Sequence, residues 1–286
     1  MPKISIITIN YNNLVGLKRT VDSVVNQTWQ EFEYIVIDGG STDDSATYIE
    51  SQSEHIDYWV SEPDKGIYNA MNKGIAKATG EYLLFLNSGD HLYDYEVLKN
   101  GFHYLSNFDL ISFDMIVVGE NKNKLFFIPK ELRFSDLFFH TLPHPSTFIK
   151  KKLFDYVGLY DENLKIVSDW KFFILALFKF KCSYVKVNEI LSCFYTGGIS
   201  SQIDYSEERV QVIAEYFSEH RLDCEELFVN RNLIQSNRFK MLTEIETTIV
   251  GKKIISIFFR LYLFFFSRKK INEILKHTHT NLNNTI

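Results

Sequence analysis

The chain has 286 residues, of which 45% are hydrophobic and 23% are charged, and its formal net charge is −5. This composition is typical of a globular protein and excludes a disordered or fibrous chain. An acidic protein is also poorly suited to nucleic acid, because affinity for nucleic acid comes mainly from the neutralisation of phosphates by Lys and Arg.

The cysteines and the N-terminus both favour a cytoplasmic protein. Three cysteines without a CxxC spacing indicate neither a disulfide framework nor a zinc cluster. The apolar run at residues 4–9 is too short for a signal peptide and lacks a cleavage site, so we interpret it as a first strand.

The first 90 residues alternate between the periods of strands and helices. Predicted strands cover residues 4–9, 32–37, 58–60 and 82–86. Predicted helices lie between them, at residues 14–25, from Ser41 onward and at residues 67–78. Ser41 is the predicted N-cap of the second helix, with Asp44 completing a variant of the capping box. This alternation predicts a parallel, doubly wound sheet.

Each predicted strand runs into a polar cluster at its C-terminal end. The four clusters are residues 8–10, 38–41, 62–65 and 87–90. Such residues also form ordinary turns, which is the alternative interpretation. Because open α/β sheets bind ligands beyond these strand ends, four clusters at equivalent positions favour a nucleotide-type site.

The pattern after residue 90 is looser. It predicts a hairpin at 110–128, a strand at 144–149, a largely buried helix at 170–180 and helices from residue 207 onward. We expect one catalytic domain over 1–205, with a nucleotide-binding half (1–92) and an acceptor half (93–205). A helical C-terminal extension follows at 206–286.

Four motifs in fixed order resemble those of glycosyltransferase family 2. They are Ser-Ile-Ile-Thr-Ile-Asn-Tyr-Asn (5–12), Ile-Asp-Gly-Gly-Ser-Thr-Asp (37–43), Glu-Pro-Asp-Lys-Gly (62–66) and Ala-Thr-Gly-Glu-Tyr-Leu-Leu-Phe-Leu-Asn-Ser-Gly-Asp (78–90). The resemblance spans about residues 3–200 and rests on the set, since any one motif alone is weak. It implies an α/β GT-A (Rossmann-like) mixed sheet flanked by helices and an inverting transferase that uses a UDP-sugar.

The resemblance implies a metal site at Asp90. Sugar transfer leaves extra negative charge on the departing diphosphate, which a cation held by a carboxylate neutralises. Mg²⁺ or Mn²⁺ suits oxygen ligands. The family often has a second acid beside this aspartate, whereas this chain has Gly89 there and Asn87 before it. Asn87 adds no charge, but it is expected to bind the donor by a hydrogen bond to the ribose or a phosphate. This departure leaves open whether the reaction strictly requires metal.

The resemblance also implies the donor-binding residues. Asp38 matches the aspartate that accepts a hydrogen bond from the uracil ring N–H, and Thr8 and Asn10 are expected to line the base and ribose. Asp64 matches an acid near the donor, and Lys65 is expected near the diphosphate or a sugar hydroxyl. Further donor-binding candidates share one helix face, for which a merely solvated face is the alternative: Asn69, Asn72 and Lys73.

Asp169 matches the family's general base, which removes the proton of the acceptor hydroxyl. The family often has a Glu-Asp pair there, but Ser168 precedes Asp169 in this chain. An ordinary helix N-cap is the alternative role for Asp169.

Two further segments resemble family elements near the acceptor. His144 is expected to contact a phosphate or the metal, unless it is simply a satisfied polar residue at a strand start. Gly197 and Gly198 resemble a flexible loop that closes over the donor, although a plain turn needs no function.

Residues 251–276 form a basic aromatic segment, with seven Lys and Arg against one acid. Its apolar run at 254–266 spans roughly 20 Å as a helix, which is short of a bilayer core of about 30 Å. A helix lying on an anionic membrane surface explains both the aromatics and the charge, whereas packing on protein explains only the aromatics.

These observations predict a cytoplasmic enzyme, peripheral on the inner face of the cell membrane, that acts in bacterial polysaccharide biosynthesis. Its expected acceptor is a glycan, in particular one linked to polyprenyl diphosphate. One alternative is a sugar-1-phosphate nucleotidyltransferase, although the Gly-rich basic loop it needs after the first strand is missing. The other is a non-catalytic homologue that only binds a nucleotide sugar, which the departures at Gly89 and Ser168 keep open.

Overall fold

The computed structural model describes residues 3–105, 107–119, 122–197 and 206–266. The chain divides into two compact units, Met1–Glu219 and His220–Ile286. The first unit is the mixed α/β fold predicted from the sequence, with helices flanking one sheet, and the second is helical in its described part.

The sheet carries nine strands among the described residues, in the order β3-β2-β1-β4-β8-β6-β9-β5 with β7 paired to β6. The strands are β1 (Ile4–Asn10), β2 (Phe32–Asp38), β3 (Tyr58–Ser61), β4 (Tyr82–Phe85), β5 (His91–Leu92), β6 (Leu110–Val118), β7 (Lys124–Phe126), β8 (Thr147–Lys150) and β9 (Tyr184–Tyr195).

Seven helices of the described chain precede the long strand β9, and four follow it. The first seven are α1 (Leu14–Val25), α2 (Ser45–Ser51), α3 (Ile67–Lys77), α4 (Val97–Gly101), α5 (Phe134–Phe139), α6 (Leu153–Tyr156) and α7 (Ser168–Ile174). The last four are α8 (Ser206–Tyr216), α9 (Arg221–Gln235), α10 (Asn237–Ile245) and α11 (Ile249–Phe266). Helix α8 belongs to the first unit.

The centre of the sheet is buried on both faces. Every residue of β1 is buried, which agrees with its run of β-branched side chains. Helix α1 covers one face with Leu17, Val21 and Val24, each fully buried. Burial of a side chain of this size stabilises the fold by about 1.5–3 kcal/mol.

Parallel pairing brings the polar strand ends to one edge, as predicted. Strand β1 lies between β2 and β4, and Asn10 of β1 is paired with Asp38 of β2. Asp38 is in turn paired with Ser61 of β3. Strand β8 runs antiparallel to β4, so β8 begins at the edge where β4 ends.

The predicted start of the second helix was wrong. Helix α2 begins at Ser45, and Asp44 precedes it in a left-handed conformation, with φ 64°, and makes no capping hydrogen bond. Ser41 does not cap the helix, because its hydroxyl donates to the buried carboxylate of Asp38. The Ser41 hydroxyl therefore binds a carboxylate three residues before it instead of an N–H group of the helix.

The acceptor half agrees with the sequence pattern in part. Strands β6 and β7 form the predicted antiparallel hairpin. The predicted strand at 144–149 begins only at Thr147, since residues 144–146 form a 3₁₀ turn around Pro145, which has no N–H for a ladder. The predicted helix at 170–180 begins earlier, at Ser168, and ends in one π-helical turn over Leu175–Lys179.

Strand β9 was not predicted. It runs parallel to β6, and the pairing shifts register around Asp114. In the second unit, none of the described helices is both long enough and apolar enough to span a membrane.

Candidate active site

Asp38 is the centre of a buried hydrogen-bond cluster at the C-terminal end of β2. Its carboxylate accepts from Asn10 Nδ2 at 2.7 Å, from the Ser41 backbone N–H and hydroxyl at 2.9 and 2.6 Å, and from the Ser61 hydroxyl at 2.6 Å. Burial alone would raise the pKa of Asp38, but these hydrogen bonds outweigh it and hold the pKa below its usual value. Asp38 is therefore held as a carboxylate.

Asp64 lies against the same cluster. A Cβ placed on Gly39 would lie 2.3 Å from Asp64 Oδ2, so this contact requires glycine. The other carboxylate oxygen of Asp64 accepts from the Gly66 backbone N–H at 2.8 Å. The loops that follow β2 and β3 are thus packed together at this edge.

Three other predicted donor residues have contacts outside the Asp38 cluster. Thr8 is fully buried, and its hydroxyl lies 3.1 Å from that of Tyr34. The Lys65 backbone N–H donates to Asn69 Oδ1 at 3.2 Å. Lys73 pairs with Glu62 at 2.7 Å.

Asn72 joins helix α3 to the segment before α7. Its side-chain amide donates to the Tyr160 carbonyl at 2.8 Å and to Glu162 at 2.9 Å, and its oxygen accepts from the Tyr160 N–H at 3.1 Å. Asn69 also donates to Glu162, at 2.9 Å. The donor-binding role of these asparagines stays a prediction.

A second cluster joins the predicted base to the end of β4. His144 Nδ1 lies 3.2 Å from Asp169 Oδ2, and His144 Nε2 lies 3.2 Å from Asn87 Nδ2. The side chains of His144 and Asp169 are 17% and 14% exposed, so both are desolvated but reachable. Three residues separated widely in the sequence are thereby connected.

Tyr68 holds the other oxygen of Asp169. Its hydroxyl donates to Asp169 Oδ1 at 3.1 Å, and it shares its one proton with the Ile166 carbonyl. Burial and the neighbouring Asp169 carboxylate raise the pKa of Tyr68 well above its usual value, so the phenol stays protonated as a donor.

Asp90 comes three residues after Asn87 in the sequence and is only 6% exposed. Burial raises the pKa of Asp90 to about 7, although the neighbouring His144 ring, the backbone N–H of Tyr195 and the Arg19 guanidinium act in the opposite direction. The carboxyl group is therefore balanced between its neutral and ionised forms near neutral pH.

The two glycines predicted to form a mobile loop follow β9. Gly197 has φ 124°, a conformation that favours glycine. Gly198 lies outside the described residues.

The sequence comparisons decide the family. The sequence model described as glycosyl transferase family 2 matches residues 5–159. The chain belongs to glycosyltransferase family 2. It is 37% identical over 206 residues to an uncharacterized glycosyltransferase of Mycobacterium tuberculosis, an alignment that covers 70% of this chain and 78% of the relative.

Two solved structures show the fold of this family 2 glycosyltransferase. Residues 1–349 of TarS from S. aureus, in complex with UDP-GlcNAc, match 87% of this chain and 77% of that chain, with a TM-score of 0.64 and 18% identity. The mannosyltransferase PcManGT from Pyrobaculum calidifontis, in complex with GDP-Man and Mn²⁺, matches 92% and 81%, with a TM-score of 0.56 and 14% identity. The predicted GT-A fold is confirmed.

The residues at the end of β4 suit a divalent cation. In the described part of the chain, His, Cys, Asp and Glu side chains do not gather in threes at a point that would hold a metal. However, Asp90 offers a buried carboxylate, and Asn87 Oδ1 is one of the described buried atoms with no hydrogen-bond partner. Carboxylate and amide oxygens are ligand types that Mg²⁺ and Mn²⁺ accept, and a bound diphosphate would supply further oxygens.

Two residues of this candidate site, Arg19 and Tyr68, were not singled out from the sequence. Arg19 of α1 donates to the Gly89 carbonyl at 3.3 Å, and its guanidinium stacks 4.0 Å from the centre of the Tyr195 ring. Tyr68 lies on α3 just before the predicted donor-binding residues Asn69 and Asn72. A local sequence pattern could not indicate either residue, because Gly89 is 70 residues from Arg19 and Asp169 is 101 residues from Tyr68.

Proposed function

We propose that this family 2 glycosyltransferase is an inverting enzyme that moves a hexose-type sugar from a UDP-sugar to an acceptor hydroxyl. The observation that carries the proposal is the hydrogen-bonded series Asp169–His144–Asn87. It links the proposed base to the end of β4, where the proposed metal ligand Asp90 lies.

The donor would bind along the polar strand ends of the nucleotide-binding half. Four protein donors already surround the Asp38 carboxylate. A uracil N–H would therefore replace one of the two hydroxyls, of Ser41 or Ser61, which can rotate away. TarS binds UDP-GlcNAc and PcManGT binds GDP-Man, which supports a nucleotide sugar as donor.

Asp169 would activate the acceptor. As the acceptor oxygen bonds to the anomeric carbon, its proton passes to a carboxylate oxygen of Asp169, and the bond from that carbon to the diphosphate breaks on the opposite side. This displacement converts an α-linked donor into a β-linked product. Tyr68 and His144 hold one oxygen each, which fixes the carboxylate without occupying all its lone pairs.

A divalent cation, Mg²⁺ or Mn²⁺, would be held by Asp90 and Asn87. When bound, it supplies positive charge that stabilises the departing diphosphate. The Mn²⁺ in the PcManGT complex supports this assignment.

The acceptor half, 93–205, would bind a glycan linked to polyprenyl diphosphate, and the enzyme would lie on the inner face of the cell membrane. Helix α11 supports this assignment, because it carries exposed apolar residues beside Lys252 and Lys253. Those more than half exposed are Ile249, Val250, Ile254, Ile257, Phe258, Leu261, Tyr262, Phe264 and Phe265. A basic apolar helix of this kind suits an anionic lipid surface.

The test combines a donor panel with one substitution. UDP-glucose, UDP-galactose, UDP-N-acetylglucosamine and GDP-mannose are offered with Mn²⁺ or EDTA and a bacterial lipid extract, and nucleotide release is measured. We expect release from a UDP-sugar, and Asp169→Asn to lower kcat by about 10²- to 10⁴-fold while the Kd for UDP is unchanged. Unchanged turnover in Asp169→Asn would refute the base, and no release from any donor would favour the non-catalytic homologue.

A further inference from the structure

Glu208 of helix α8 binds the backbone just before the proposed base. Its carboxylate accepts from three consecutive N–H groups, those of Lys165 at 2.8 Å, Ile166 at 3.1 Å and Val167 at 3.3 Å. These residues lead directly into α7, in which Asp169 is the second residue. We propose that Glu208 is a positioning residue that sets the location of the Asp169 carboxylate, an inference that rests on the proposed function of Asp169.

The N-cap side chain of helix α7 does not fix the start of the helix. The first N–H groups of a helix have no partner within it, and the N-cap residue here is Val167, whose side chain makes no capping hydrogen bond. Glu208, from a different helix, accepts from the N–H of this N-cap residue and from those of the two residues before it. Its negative charge also interacts favourably with the positive end of the α7 dipole.

The same turn is held from its carbonyl side. Tyr68 donates to the Ile166 carbonyl and contacts Asp169 Oδ1 with the same hydroxyl. The peptide at Ile166 is therefore fixed between Glu208 and Tyr68. Movement of this turn would draw Asp169 away from both Tyr68 and His144.

Helix α8 also contacts the residues that follow Asp169. The guanidinium of Arg209 lies 4.8 Å from the centre of the Trp170 ring, and Arg209 donates to the Phe138 carbonyl at 3.1 Å. The ammonium of Lys171 lies 4.8 Å from the centre of the Tyr216 ring. The turn before Asp169 and the two residues after it thus pack against one helix, so α8 is placed to hold the base on both sides.

The first test measures the amides themselves. In Glu208→Ala, hydrogen exchange at the backbone N–H groups of residues 165–167 should become faster, while exchange in β1 and β4 stays as in the wild type. Glu207→Ala is the matched control, because Glu207 is the exposed neighbour on the same helix. Unchanged protection at 165–167 in Glu208→Ala would overturn the inference.

The second test separates positioning from folding. Glu208→Gln keeps the size of the side chain but places an NH₂ group where one carboxylate oxygen faces N–H donors. We expect kcat, measured with the fastest donor of the panel, to fall on the order of 10- to 100-fold. The Kd for UDP should not change, and Glu207→Gln should match the wild type. If Glu208→Gln does not fold, Glu208→Asp replaces it, with the same loss of kcat expected per folded molecule.

A double-mutant cycle distinguishes the two proposals. If Glu208 acts through Asp169, Glu208→Gln should cause no further loss of kcat in the Asp169→Asn background. Equal fold-losses in both backgrounds would show a general structural role and overturn the inference. A large loss of kcat in Asp169→Asn with none in Glu208→Gln would also overturn the inference while leaving the proposed base intact. An unchanged kcat in Asp169→Asn would refute the proposed base, and no nucleotide release from any donor would refute the proposed function.

Discussion

His144 Nδ1 lies 3.2 Å from Oδ2 of Asp169, and the opposite ring nitrogen lies 3.2 Å from Asn87 Nδ2. The Asn87 amide donates to Nε2 in this arrangement, so the imidazole proton is on Nδ1 and is donated to Asp169. The imidazole thereby orients the carboxylate and ties it to the end of β4.

His144→Ala should therefore lower kcat on the order of 10- to 100-fold, because Asp169 loses one of its two orienting donors. His144→Asn retains an N–H near the position of Nδ1 and should recover part of that loss. Steady-state kinetics with the fastest donor of the panel measures both variants. His55→Ala, at an exposed histidine, is the control, and a wild-type kcat in His144→Ala would contradict the orienting role.

Asp90 makes the metal-free protein less stable as the pH rises. Burial raises its pKa from 3.8 to about 7, so between these values the unfolded chain has lost the proton that the folded chain retains. The contribution of Asp90 to the free energy of unfolding should therefore fall with pH in this window and level off above pH 7. The pKa differs by about three between the two states, and each pKa unit corresponds to about 1.4 kcal/mol. The loss of stability due to Asp90 therefore has an upper limit of about 4 kcal/mol.

Asp90→Asn removes this pH dependence. Relative to the wild type, its stability should rise between pH 4.5 and 7.5 and stay constant above that, as measured by urea unfolding in EDTA. The control is Asp94→Asn, which removes one exposed carboxylate from the same region. A stability difference between Asp90→Asn and wild type that does not vary with pH would show that Asp90 is ionised throughout.

Substitution of Asn72 can distinguish a structural role of this residue from a role in donor binding. Its amide makes three hydrogen bonds to Tyr160 and Glu162, so Asn72→Ala should lower the free energy of unfolding by about 2 kcal/mol. Asn69→Ala removes a more exposed contact to the same Glu162 and should cost less. We expect the Kd for UDP to change little in Asn72→Ala, and a large loss of UDP affinity without loss of stability would establish donor binding instead.

Local patterns in the sequence predicted the parts of the fold that local physics determines. The strands of the nucleotide-binding half and their common polar edge follow from hydrophobic period and from parallel connections. The start of α2 was missed because the Ser41 hydroxyl binds Asp38, a preference that no helix-capping rule contains. Strand β9 was missed because Lys186 and Asp114 form a buried pair at 2.8 Å, so a buried position carries a charged residue.

The candidate site was predicted unevenly for a related reason. Asp38, Asp90 and Asp169 lie in recognisable sequence motifs. The residues that hold the Asp169 region in place do not lie in such motifs. Glu208 lies 41 to 43 residues after the N–H groups it binds, and Tyr68 lies 101 residues before Asp169. Contacts of this range are determined by the packing of whole elements, which a pattern of neighbouring residues does not contain.

Helix α11 should bring the enzyme to anionic lipid. Phe258 is 60% exposed and Phe264 is 75% exposed, and Lys252 and Lys253 precede them on the same helix. Transfer of two phenylalanine side chains into the interface contributes several kcal/mol at most, and the lysines add attraction that salt screens. The full-length protein should therefore sediment with vesicles of phosphatidylglycerol and phosphatidylcholine. Less protein should sediment with phosphatidylcholine alone, and binding to the anionic vesicles should weaken at high salt.

Replacing both Phe258 and Phe264 by Ser should weaken vesicle binding at least about tenfold. Phe127→Ser, at a 66% exposed position in the first unit, should leave vesicle binding unchanged. Equal binding of the wild type and the double variant would contradict a lipid-binding role for these phenylalanines.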